Sequence, residues 1–291
     1  MKKNHNNPNK MSSSQNTTVL STFHNHHRDA NIRFFEKGHQ YEVINDTCYI
    51  SVTTWVHQHF PKFNADMIIK SMMNGKNWGP DHKYWGKTAE EIKSTWSSNG
   101  SAVAGTNLHY EIECFMNNAA FSRPYTHKEL LDLYLKQTIN DTIVKEIEWS
   151  YFLQFIKDFP DLKPYRTEWI VYDEDVKIAG SIDMVYENPD GTLSIYDWKR
   201  SKEISSTNNY KKFAYTQCLK HIPHTNFWHY AIQLNIYKTI LENKYNKKIK
   251  DLYLVRLHPN NPNNSYDLIK LPFLNEEMEN LFQERKEKIN G

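Results

Sequence analysis

The chain has 291 residues, enough for one large domain or two small ones, and a formal net charge of only +2. So small a charge excludes capture of a polyanion by a global field, so any basic surface must be local. Nine glycines argue against a Gly-rich phosphate loop, no apolar run reaches the roughly 18 residues of a membrane span, and three cysteines without paired spacing build no disulfide framework.

Residues 1–29 are rich in Asn, Ser, Thr and His and read as a disordered polar tail. Its histidines His5, His24, His26 and His27 read as part of that tail rather than as metal ligands. The opening Met1-Lys-Lys-Asn-His-Asn-Asn-Pro lacks the apolar stretch of a secretion signal. With the unpaired cysteines, this points to a reducing intracellular compartment: cytoplasm, nucleus or viral factory. Residues 30–160 form an N-terminal region of strands and helices. Ile32-Arg-Phe-Phe, Gln40-Tyr-Glu-Val and Cys48-Tyr-Ile-Ser-Val read as short strands, and Ser51-Val-Thr-Thr-Trp55 leads into a helix. Residues 64–159 read as mostly helical, with Thr88-Ala-Glu-Glu91 as a capping box. Residues 161–291 hold a hairpin region at 165–200, a long helix at 226–247, a strand at 251–257 and a charged helix at 274–289. The fold class is therefore α/β, a small mixed sheet flanked by helices, with an N-terminal helical region.

The hairpin carries the chemistry. Asp183 ends an apolar run, the breaker cluster Asn188-Pro-Asp-Gly191 turns the chain, and Leu193-Ser-Ile-Tyr196 alternates into Asp197. Lys199 lies two residues beyond Asp197, so both side chains share one strand face. Two acids and a lysine at one point suit a hard cation, Mg2+ or Mn2+, beside a phosphate or a water. Lys199 can hold an attacking water or neutralise charge that develops on a phosphate.

Two helical pairs add to it. His109 and Glu113 stand at i and i+4, where an imidazole can complete a metal shell; a helix-face ion pair explains Glu113 nearly as well. Gln233 and Tyr237 have the same spacing among Ile232, Leu234, Ile236 and Ile240, the pattern of a buried helix. Glu168 begins a strand as a metal-shell or a structural acid. From Lys199 to Tyr230 the only acid is Glu203, while Arg200, Lys202, Lys211, Lys212, Tyr210 and Tyr215 alternate basic and aromatic character. Such a segment suits phosphates and unpaired bases.

Taken in order, Gly105-Thr-Asn-Leu-His109-Tyr-Glu-Ile-Glu113, Glu168-Trp-Ile-Val-Tyr, Ile178-Ala-Gly-Ser-Ile-Asp183, Ile195-Tyr-Asp197-Trp-Lys199 and Gln233-Leu-Asn-Ile-Tyr237 resemble the PD-(D/E)XK nuclease superfamily. The RecB-type branch is the nearest in appearance. It includes CRISPR-associated adaptation nucleases, the mitochondrial genome maintenance exonuclease and viral or phage recombination exonucleases. The resemblance covers roughly residues 100–258 and implies a restriction-endonuclease-like core in 161–291, with the helix at 101–118 contributing to the site. It implies catalytic roles for Asp183, Asp197, Lys199, Gln233 and Tyr237, and one or two metal ions held by His109, Asp183, Asp197 and the Trp198 carbonyl. Gln233 and Tyr237 would line the site and touch nucleic acid or the lysine. Some relatives hold an iron–sulfur cluster on four cysteines; Cys48, Cys114 and Cys218 are too few and too scattered, so no cluster is expected. No nucleotide-binding Gly-x-x-x-x-Gly-Lys run is present either, so any unwinding falls to a recombination or replication partner or to the DNA end. The expected function is a metal-dependent DNA exonuclease of recombination, repair or replication, with no membrane partner. The alternatives are a flap or structure-specific endonuclease with the same site, or a catalytically idle nucleic-acid-binding module. The Asn- and Lys-rich composition suggests an AT-rich genome, such as that of a large DNA virus or its host.

Overall fold

The computed structural model describes residues 18–97, 100–138, 146–208 and 211–291. Residues 1–17 of the expected tail, with His5, and Tyr210 of the basic segment lie outside these. The rest of the tail differs from expectation. Helix α1 (Val19–Phe23) is followed by a 3-10 turn over His27–Asn31. Leu20 is fully buried, and Asp29 accepts hydrogen bonds from Arg166 at 2.7 Å and from the Trp169 indole at 2.9 Å. Polar composition hid this because the segment is ordered by long-range partners rather than by its own apolar content.

Strands β1 (Ile32–Phe35), β2 (Gln40–Val43) and β3 (Asp46–Ser51) form an antiparallel meander. Ser51 caps α2 (Val52–His57), its hydroxyl accepting from the Thr54 N–H at 3.0 Å. Helices α3 (Ala65–Met73), α4 (Ala89–Ser97), α5 (Gly100–Met116), α6 (His127–Gln137) and α7 (Ile147–Asp158) follow. The capping box before α4 is formed: the Thr88 N–H donates to Glu91 at 2.7 Å and the Glu91 N–H to Thr88 at 3.2 Å. The chain then builds β4 (Lys163–Asp173), β5 (Ile178–Glu187), β6 (Leu193–Lys199), α8 (Asn226–Lys244), β7 (Ile249–Arg256), β8 (Asp267–Lys270) and α9 (Asn275–Asn290). Sequence patterning did not foresee β8, a short polar edge strand.

The strand order is β1-β2-β3-β5-β6-β7-β8, with β4 on the opposite edge of β5. Parallel pairs β3–β5 and β6–β7 and antiparallel pairs elsewhere make the sheet mixed, as a restriction-endonuclease-like core requires. Two apolar cores flank it. One gathers side chains of α2, α8 and α9 with Trp169 and Ile182; the other gathers α5, α6 and α7 with Met184, Tyr186 and Trp198. Each fully buried large apolar side chain contributes roughly 1.5–3 kcal/mol.

β5 runs on past Asp183 to Glu187, so Asp183 lies within a strand rather than at its end. On the edge of β5 away from β4, β3 pairs only at 178–179 and β6 only at 184–187. Between those stretches the edge is open, and the fork places Asp183 where β6 begins to diverge.

Candidate active site

The backbone of one residue, Trp198, organises the fork. The Trp198 N–H donates to Asp183 Oδ2 at 3.1 Å, and the Trp198 carbonyl contacts His109 Nε2 at 2.9 Å. A carbonyl only accepts, so Nε2 carries a proton, which leaves Nδ1 as the ring atom that could bind an ion. Nδ1 lies 3.5 Å from Asp183 and 4.0 Å from Glu168. The Trp198 carbonyl, which the resemblance implied as a ligand, is engaged by His109 and orients that ring.

Glu168 is held in an unusual backbone state. Its φ is +42°, in the left-handed region, at a cost of about 1–3 kcal/mol for a non-glycine residue. Neighbours on both sides pin it. Thr167 accepts from Asn117 at 2.7 Å, and Arg166 and Trp169 are tied to Asp29. The carboxylate accepts from Ser181 at 2.9 Å. Burial first, and then the Asp183 charge, push its pKa from 4.5 up to about 8.

Asp197 is 2% exposed and ion-paired with Lys199, and the group of ligand atoms lying within 4.8 Å of one another is His109, Glu168 and Asp183. Burial, then Asp183, raise the Asp197 pKa to about 7. Burial by itself would lower the Lys199 pKa, but Asp197 and Asp183 outweigh it and keep the ammonium charged. Tyr230, one helical turn before Gln233, sits under that ammonium at 4.9 Å from its ring centroid. Glu113 is half-buried outside the trio; burial raises its pKa, and its charge adds to the repulsion on Glu168.

Tyr237 reaches the fork from α8, the helix that also carries Gln233. It explains Gly180: a Cβ there would lie 2.7 Å from the Tyr237 hydroxyl oxygen and 3.0 Å from Val52. Gly180→Ala is therefore expected to cost about 1–3 kcal/mol by overpacking, read as a lower midpoint in urea unfolding. An unchanged midpoint would show that Tyr237 yields freely.

The expected nucleic-acid residues divide. The Arg200 Nε donates to the buried Glu148 at 2.6 Å, tying the end of β6 to α7. Lys202, Lys211 and Lys212 are exposed, and Tyr215 is 56% exposed although its hydroxyl bonds the Gln58 carbonyl. Patterning missed Ser181 and Glu148. Ser181 was within reach, since it shares strand parity with Asp183; Glu148 carried no local signal.

Two carboxylate oxygens and one imidazole nitrogen make a donor set that fits a divalent cation. A forked mixed sheet with acids and a lysine at its opening defines a metal-dependent phosphodiesterase class. The model of the PD-(D/E)XK nuclease superfamily matches residues 103–291, and the chain belongs to that superfamily. It is thus a nuclease, a metal-dependent hydrolase of nucleic acid. No curated protein matches the sequence. A crystal structure of a protein provisionally named an exonuclease, from Eubacterium rectale, is 12% identical, with 83% of this chain and 79% of that one covered and a TM-score of 0.30. Among the described residues no helix is long and apolar enough to cross a membrane.

Proposed function

We propose that this chain is a DNA exonuclease of the RecB-type branch, dependent on magnesium or manganese and acting from DNA ends in recombination, repair or replication. The observation that supports it best is the convergence of His109, Glu168 and Asp183 beside the buried Asp197–Lys199 pair. The ordered motif resemblance supports the end-directed mode. We assign the nuclease core to 161–291 together with α5.

In this reading His109, Glu168 and Asp183 hold the ion, and Asp197 supplies further negative charge to the same fork. A divalent ion there supplies Lewis acidity and makes water a better nucleophile near neutral pH. Lys199, kept charged by its acids, steadies the charge that develops on the phosphate. Gln233, Tyr237 and Tyr230 fix the approach from α8. The test is incubation of linear and covalently closed circular DNA with magnesium, manganese or chelator. Metal-dependent loss of linear forms alone is the expected result. Cut circles would make it an endonuclease, and intact DNA throughout would sink the enzymatic reading.

A pH dependence follows from the raised carboxylates. Glu168 holds a proton in the folded state up to about pH 8 but releases it near 4.5 when unfolded, so its contribution to stability is complete below 4.5 and lost as pH rises through 8. The metal-free melting temperature should therefore fall across that window. Manganese binding at pH 7 should release protons, because the acids must ionise to bind. Calorimetry in buffers of different ionisation enthalpy measures this, and a binding heat independent of buffer would refute it.

A further inference from the structure

Helix α3 and the loop after it lie outside the family-matched residues 103–291, yet they form one wall of a cavity of about 920 Å3. The other wall comes from the segment that follows β6. Met67, Ile68 and Met72 give the cavity an apolar side, while Lys76, His82 and Lys212 give it a basic one. Among the described residues lining it there is no carboxylate. The apolar side is open to solvent: Met67 is 69% exposed and neighbouring Phe63 is 71% exposed. Contiguous exposed apolar surface marks a binding site, and the basic side says what kind.

The Lys212 side of the groove is held by backbone hydrogen bonds. The Lys212 N–H donates to Asn208 at 3.1 Å, and its carbonyl accepts from the His224 N–H at 2.8 Å. His224 lies just ahead of α8, the helix that carries Tyr230 beneath Lys199. On the other flank, the Tyr215 N–H donates to the His59 carbonyl at 3.0 Å, next to α2. Lys212 is thus held by the segment that leads into α8, the helix that also carries Tyr230.

We propose that this groove holds an unpaired stretch of the nucleic-acid substrate, with phosphates on Lys76 and Lys212 and bases against Met67, Ile68 and Met72. The inference rests on the nuclease reading. Thioethers adapt to varied partners, so the grip tolerates any base. A duplex keeps its bases stacked inside and offers no apolar face to this wall. A protein partner or a second copy would suit the apolar side, but the acid-free basic side favours a polyanion.

The test uses the full chain in chelator, so that nothing is cut, and a fluorescent oligothymidylate of about 15 nucleotides read by anisotropy. Lys76→Ala with Lys212→Ala should raise Kd about tenfold or more and flatten the salt slope by about 0.7 per phosphate lost. Met67→Asp, at an exposed position that folding does not need, should weaken binding roughly fivefold. Unchanged affinity and slope in the double variant would overturn the proposal. So would an equal loss with a blunt duplex, or a Met67→Asp change that only dissolves a dimer in sedimentation. Cleavage is measured separately with metal. If the wild type cuts DNA while the double variant binds normally, the groove alone fails. If the wild type cuts nothing but strand binding still needs both lysines, the nuclease reading alone fails.

Discussion

Asp183→Asn is expected to lower DNA cleavage by at least about 10^3-fold while leaving the fold intact. The amide has the same shape, and its oxygen still accepts from the Trp198 N–H that now holds Asp183 at 3.1 Å. What disappears is the charge, and with it one of three converging ligands. The substitution carries a second readout. After burial, Asp183 is the largest cause of the raised Glu168 pKa, so Glu168 should titrate lower in the variant. Carbon-detected NMR of the Glu168 carboxyl tests this in the absence of metal. Wild-type turnover would remove Asp183 from the mechanism; an unmoved Glu168 titration would show that burial alone sets it.

Asp29→Ala is expected to cost about 3 kcal/mol or more in urea unfolding, a large effect for a residue in a segment of polar composition. Arg166 is 2% exposed, and Asp29 is a counter-ion to it at 2.7 Å. The substitution leaves a buried guanidinium without that carboxylate and takes the acceptor from the Trp169 indole. Both residues flank Glu168, whose φ of +42° persists only because its neighbours are pinned. Manganese affinity should therefore fall together with stability. A loss below about 0.5 kcal/mol would place the segment among ordinary surface elements.

The fold was legible where local pattern carries the information. Alternation and the breaker cluster Asn188-Pro-Asp-Gly191 located the hairpin, and the observed strands β5 and β6 pair across it. The apolar periodicity around Gln233 and Tyr237 located α8, and the capping box located the start of α4. Strand β8 was not legible, because a four-residue edge strand buries too little to impose a pattern. Nor was the order in 18–29, whose hydrogen bonds run to residues as far as 146 positions away. Among the site residues, Asp197 and Lys199 were placed on one strand face and are ion-paired, whereas the pairing of Arg200 with Glu148 was not foreseen. A run of basic residues in sequence does not say which charges a neighbouring helix will take.

By itself the amino-acid order determined which residue types lie on which strand or helix face, because burial of one face imposes a period that the chain displays locally. It also determined the superfamily, since ordered short motifs survive where overall identity does not. Only the tertiary structure decided which of those side chains meet. The fork between β5 and β6 brings the Trp198 N–H to Asp183 and the Trp198 carbonyl to His109. Distant partners hold Glu168 in a backbone state that no local preference would select. Contacts of that kind arise from packing between segments far apart in the chain, and a local period carries no record of them.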